Sequence, residues 1–205
     1  MTQSQISDSD GKELVKMARN TVTKFIKTNE KNFNSDFDSK FNFNSGVFVT
    51  LNKQDDLRGC IGYPVPERKL CEGLVDAAIS AATRDPRFPP VTEDELDKIT
   101  FEVTVLSPPE EIKVNEYSEY LSQIKVGTDG LIVENEFTSG LLLPQVPTEY
   151  GWNEKEFLEY TCQKAGLNKD AWKDESTKIS KFQGIIFKEE EPNGNIIRKS
   201  ANDLL

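Results

Sequence analysis

Apolar positions recur at helical spacing over residues 8–29, where Leu14, Val15, Ala18, Val22, Phe25 and Ile26 form one stripe. This predicts an amphipathic helix laid on a core. Residues 30–44 place Phe33, Phe37, Phe41 and Phe43 among Asn, Ser and Asp, which reads as a loop pinned by its aromatics, although the spacing also allows a helical turn. Gly46-Val47-Phe48-Val49-Thr50-Leu51 has strand composition, residues 52–56 are a polar turn, and Leu57-Arg58-Gly59-Cys60-Ile61-Gly62 completes an antiparallel hairpin that Pro64 and Pro66 end. A helix is predicted over 67–83, with Leu70, Leu74, Ala77, Ala78 and Ala81 on one face. Thr92-Glu93-Asp94-Glu95 resembles a capping box that starts a short helix.

Residues 99–106 alternate cleanly, so Phe101, Val103 and Val105 face one way while Glu102 and Thr104 face the other. A short helix over 116–124 precedes a strand at 131–133 and a strand that Pro144 is expected to end, sending Gln145 out at its edge. Asn153 with Glu156 starts a helix for which Gly166 is the natural terminator, and a late strand covers 179–187. The tail, 188–205, is polar, with a Pro192-Asn193-Gly194 turn that reads as a frayed hairpin or partly disordered chain. Helices alternating with hairpin-like pairs fit an α+β fold with a mainly antiparallel sheet, here one domain over 1–205 with its core at 8–187.

The chain has 205 residues, 36% hydrophobic and 29% charged, which suits a globular protein. No apolar run reaches the roughly 20 residues that span a bilayer, and Met1-Thr2-Gln3-Ser4-Gln5 lacks a signal-peptide pattern, so a cytoplasmic protein with no membrane partner is expected. A net charge of −10 disfavours generic nucleic-acid binding. The three cysteines form no Cys-x-x-Cys pair, which argues against a disulfide framework or a cysteine-rich zinc site; Cys71 and Cys162 fall on helical apolar stripes. Histidine is absent, which excludes a Ser-His-Asp triad, a Cys-His dyad and any histidine metal site. No metal site and no cofactor motif is read from the chain.

Chemistry then falls to a few positions. Arg58 and Cys60 are two apart on a strand and share a face, so the guanidinium is expected to lower the thiol pKa, with Gly59 and Gly62 permitting close approach. Glu102, a carboxylate within the sheet, needs a partner that Arg58 or Arg87 would supply. A Cys60–Arg58–Glu102 cluster would form a nucleophile and acid/base site. Arg84-Asp85-Pro86-Arg87-Phe88-Pro89-Pro90 is a proline-stiffened loop whose Arg84, Asp85 and Arg87 suit an anionic ligand, and Gln145 would read that ligand. Each of these also has a structural reading: Cys60 as core packing, Arg58 or Glu102 as one ion pair, Asp85 pairing an arginine of its own loop.

The hexapeptide at 57–62, Arg84-Asp85-Pro86-Arg87-Phe88-Pro89-Pro90-Val91 and Leu143-Pro144-Gln145-Val146, in this order, resemble the AMMECR-domain family. Gly46 to Leu51, the Glu102 strand and Lys164-Ala165-Gly166-Leu167 match as well, so the resemblance runs from the first helix to Phe187. It implies a larger and a smaller lobe with a cleft between them beside the cysteine motif. It also implies a functional link to Memo-like and radical-SAM proteins, and no established reaction. Two functions stand: a cleft that binds a small anionic or nucleoside-like ligand with thiol-dependent chemistry at Cys60, or a non-catalytic protein-binding or scaffold module.

Overall fold

The computed structural model describes residues 6–30 and 39–199; the readings of Phe33, Phe37, the first five residues and the last six lie outside them. The chain forms an α+β fold whose described strand pairings are antiparallel. The described residues divide into two compact units, one of residues 6–30, 39–107 and 185–199, the other of residues 108–184.

The first unit opens with α1 (Asp8–Thr28), whose start is fixed by a capping box in which Ser7 and Asp10 exchange hydrogen bonds. The expected hairpin is β1 (Gly46–Lys53) with β2 (Asp56–Tyr63), closed by Gln54 and Asp55, both in the left-handed region. α2 (Leu70–Thr83) begins three residues later than the pattern suggested and is buried on nearly every side. Thr92 and Glu95 form the expected capping box, on a 3-10 turn at Glu93–Glu95. β3 (Ile99–Leu106) follows, and the strand order is β2-β1-β3-β7 with β8 also paired to β7 (β7, Lys178–Glu189; β8, Ile196–Lys199). Residues 188–199, expected as a polar tail, therefore finish a hairpin: Lys188 pairs with Ile197 and Glu189 with Ile196.

Alternation along the strands explains the core. Val47, Val49, Leu51, Phe101, Val103 and Val105 point to α1 and α2 and are fully buried with Leu14, Val22, Leu70 and Leu74. Across this core Arg19 of α1 donates to both oxygens of Glu189 and to the carbonyls of Leu96 and Ile99, while the Phe101 N–H donates to Glu189. Every strong polar group of that buried pair is satisfied, as low dielectric demands.

The second unit contains β4 (Glu110–Glu111), α3 (Tyr120–Gln123), β5 (Asp129–Glu134), β6 (Ser139–Leu142), α4 (Gln145–Tyr150) and α5 (Glu154–Lys164). β5 lies between β6 and the first part of β7, and β4 pairs with β7. Asn153 and Glu156 cap α5, and Gly166 beyond its end takes φ 77°. Phe157, Leu158 and Cys162 of α5 pack on Leu131, Val133 and Ile179. One expectation needs correction here. β6 ends at Leu142, ahead of Pro144 as expected, but Gln145 does not stand at the strand edge; proline's fixed φ suits a helix start, and Gln145 is the first residue of α4. Among the described residues no helix is long and apolar enough to cross a membrane.

Candidate functional site

β2 lies at the end of the strand order, so one row of its backbone groups has no strand to pair with. The Arg84–Val91 loop supplies the pairing. Asp85 Oδ2 accepts from the Cys60 N–H at 2.9 Å, and Arg87 Nη2 donates to the Cys60 carbonyl at 3.4 Å. Asp85 in turn holds Arg87 through its backbone N–H at 3.1 Å, Nε at 3.0 Å and Nη2 at 2.7 Å. The Val91 N–H returns to the Ala82 carbonyl at 2.8 Å, fastening the loop to the end of α2. Asp85 is buried, and the Arg87 guanidinium beside it holds its carboxyl well below the usual carboxylate range. Asp85 was expected among ligand-binding residues; its oxygens are occupied by the chain itself, and its position makes it the anchor of the loop.

Arg58 is also engaged. Its Nε and Nη2 fork onto Glu95 at 3.1 and 2.9 Å, and Nη1 donates to the Pro89 carbonyl at 2.9 Å. Glu95 further accepts from Lys53 Nζ at 2.9 Å and from the Thr92 N–H of its capping box at 3.1 Å. Arg58 foremost drives the Glu95 pKa far down. The expected pairing of Glu102 with Arg58 or Arg87 is therefore not formed, because each arginine already has a nearer carboxylate.

On the sheet face turned away from α1 and α2, Cys60 stands opposite Thr50 and Thr50 opposite Glu102, so register alone sets the three in one row across β2, β1 and β3. Thr50 Oγ1 lies 3.3 Å from Cys60 Sγ. Burial pushes the thiol pKa up; the Thr50 hydrogen bond and the Arg87 charge oppose this, while the charges of Glu102 and Asp85 add to it. This corrects the expectation of a thiol lowered by Arg58, whose guanidinium is turned onto Glu95. Gly59, on the opposite face, has its own explanation: a Cβ there would stand 2.2 Å from the Ala81 carbonyl, so glycine lets α2 lie directly on β2.

Glu102 is 9% exposed and has no hydrogen bond or ion pair among the described residues. Burial pushes its pKa up, against the charges of Lys188 and Lys199. Both lysines share its face, since Phe187 and Glu189 point to the core and Lys199 pairs with Ile186. Arg87 keeps its guanidinium half-exposed, and Arg84 is exposed at the end of α2 without a partner among the described residues. Gln145 is half-buried in the second unit. Thr50 and Glu95 were not singled out from the sequence. Thr50 could have been found from hairpin register, and Glu95 only from the three-dimensional neighbourhood. Among the described residues no group of three or more Cys, Asp or Glu side chains is placed to hold a metal ion.

A family model described as AMMECR1 matches residues 15–187. Protein MJ0810 of Methanocaldococcus jannaschii is 50% identical over 192 residues, which cover 93% of this chain and 95% of that protein. A relative from Methanocella arvoryzae is 51% identical over 197 residues, with 95% of this chain and 98% of that protein covered. The crystal structure of the uncharacterised protein PH0010 from Pyrococcus horikoshii superposes with a TM-score of 0.84 at 49% identity, covering 95% of this chain and 98% of that one.

Proposed function

The chain belongs to the AMMECR1 family, and on that premise we propose that the sheet face of its first unit that carries Cys60, Thr50 and Glu102 binds a small molecule bearing an anionic group, with thiol-dependent chemistry at Cys60. The observation that carries this reading is Glu102, a residue nine-tenths buried whose carboxylate has no hydrogen bond or ion pair among the described residues. Buried carboxylates elsewhere in the unit are fully hydrogen-bonded, so an unpartnered one marks pairing capacity reserved for something else. Arg87 would hold the anionic group with the part of its guanidinium that Asp85 leaves exposed. Cys60 rests as a neutral thiol, and Glu102, whose pKa burial raises, stands two strands away in the same row with Thr50 between them: the S–H bond breaks, the proton passes across the Thr50 hydroxyl to the carboxylate, which becomes a carboxylic acid, and the thiolate is left for the ligand. Arg58, Glu95 and Asp85 position the strand and loop. Neither Arg84 nor Gln145 is needed by this reading.

A second reading, an interaction module in which Cys60 is packing, is favoured by the raised thiol pKa and the internal pairing of both arginines. Alkylation separates the two. Iodoacetate carries a carboxylate and iodoacetamide does not. The rate ratio of the two reagents at Cys60 is expected to exceed that of the denatured chain and to fall in Arg87→Gln, while Glu102→Gln moves the pH profile. A Cys60 inert to both reagents, or a ratio unchanged in Arg87→Gln, overturns the ligand reading and leaves the interaction module.

A further inference from the structure

We propose that the second unit carries a binding site of its own, for a small organic cation with an alkylated ammonium head. A cavity of about 260 Å³ opens there, with Asn115, Tyr117, Tyr120, Trp172, Asp174 and Glu175 in its lining. Three aromatic side chains in the lining, Tyr117, Tyr120 and Trp172, supply electron-rich rings that attract a cation, and an alkylated ammonium gains most from them because it is weakly hydrated. Asp174 and Glu175 add negative charge, and neither is used in an ion pair among the described residues. The one cation of the lining, Lys173, is neutralised by Asp170 at 2.6 Å. Its Nζ stands 5.1 Å from the centre of the Trp172 ring, so this indole already accepts a positive charge.

Trp172 adds an independent observation. It is 5% exposed, and its indole N–H is the one buried side-chain donor or acceptor without a hydrogen-bond partner among the described residues. Buried donors are rarely left open. The cavity lining thus combines aromatic rings with uncompensated carboxylates, which matches an alkylated ammonium head such as that of an amino alcohol or a methylated amino acid, while the indole N–H itself is sealed from solvent. The chain's net charge of −10 draws cations toward it.

The full chain with Trp152→Phe leaves Trp172 as its single tryptophan, since the chain has two. Titration with choline is expected to change indole fluorescence saturably. 3,3-Dimethyl-1-butanol, which has choline's shape without its charge, is expected not to. Asp174→Asn with Glu175→Gln should weaken choline by about tenfold or more, as should Tyr120→Ala, with circular dichroism confirming the fold. A trimethyl-lysine peptide that binds more tightly than choline assigns the head group to a modified polypeptide, and the reverse order assigns it to a free small molecule; both uphold the site. An equal response to the neutral analogue, a non-saturable response, or binding unchanged in the carboxylate variant overturns it. None of these outcomes bears on Cys60, so this site and the first unit's stand or fall separately.

Discussion

On the helix-covered face of the first unit's sheet, Glu189 is 2% exposed and accepts from Arg19 and from the Phe101 N–H. One residue along, on the other face of β3, Glu102 is 9% exposed and accepts from nothing among the described residues. Both carboxylates lost most of their water on folding. The chain compensated the first with a guanidinium whose own remaining donors reach two carbonyls, and it left the second to the longer-range charges of Lys188 and Lys199. The difference teaches that burial by itself does not single out a functional acid. Burial without a partner does, since a structural role leaves no reason to keep a charge that costs stability.

The sharpest way to break this contrast is to unpair the core carboxylate. Arg19→Met should cost about 3–5 kcal/mol, because it strands Glu189 in the interior, and Arg19→Met with Glu189→Met should recover most of the loss. Denaturant unfolding of the two variants measures both. If the single variant proved mild, Glu189 would be no better anchored than Glu102.

Asp85→Ala comes next, at about 2–3 kcal/mol, since it removes a charged acceptor from the Cys60 N–H and from Arg87 at once. Hydrogen exchange at the Cys60 amide should speed up in that variant and stay slow in Arg84→Ala. The pH dependence follows from the sign of the shifts. The carboxyls of Asp85 and Glu95 are held low in the folded chain, so their stabilisation is complete above the ordinary carboxylate range near pH ~4, starts to fall away below it, and is lost only as pH falls through their lowered folded values. Glu102 runs the other way. Its pKa is raised by folding, so its ionised form penalises the fold, and the penalty grows as pH rises from about 4 toward the folded value.

Glu102→Gln should therefore change stability by less than about 1 kcal/mol at neutral pH, and toward greater stability, because no partner is lost and a desolvated charge is removed. A loss comparable to that of Asp85→Ala would reveal a structural duty and remove the contrast. The smallest expected effect is at the thiol. In the folded protein Cys60 should react with iodoacetamide more slowly at neutral pH than a free thiol, with a rate that climbs into the alkaline range, and Arg58→Ala should leave this unchanged while Arg87→Gln slows it further. Mass-spectrometric labelling against time gives the rates; acceleration over a free thiol would restore an activated thiolate.

Periodicity in the chain was enough for α1, the β1–β2 hairpin, the alternation of β3 and the capped start of α5, because each is fixed by local pattern, turn chemistry or a capping side chain. Hairpin pairing also placed Cys60 on an identifiable face, and the motifs at 57–62 and 84–91 identified the family. Asp85 pairing an arginine of its own loop was legible in the sequence as well, and Arg87 is that arginine. Which carboxylate Arg58 takes was beyond it, because Arg58 meets Glu95 only where the capping turn of Thr92 lies beside β2. The same holds for Glu102, whose isolation depends on what its rivals for the two guanidiniums had already claimed, and for residues 188–199, whose polar composition gave no sign that Glu189 would be drawn into the core by a guanidinium from α1. Local propensity acts over a few residues along the chain, whereas competition among charged groups is settled by distances between elements far apart in it, and those exist only once the sheet and its covering helices have formed.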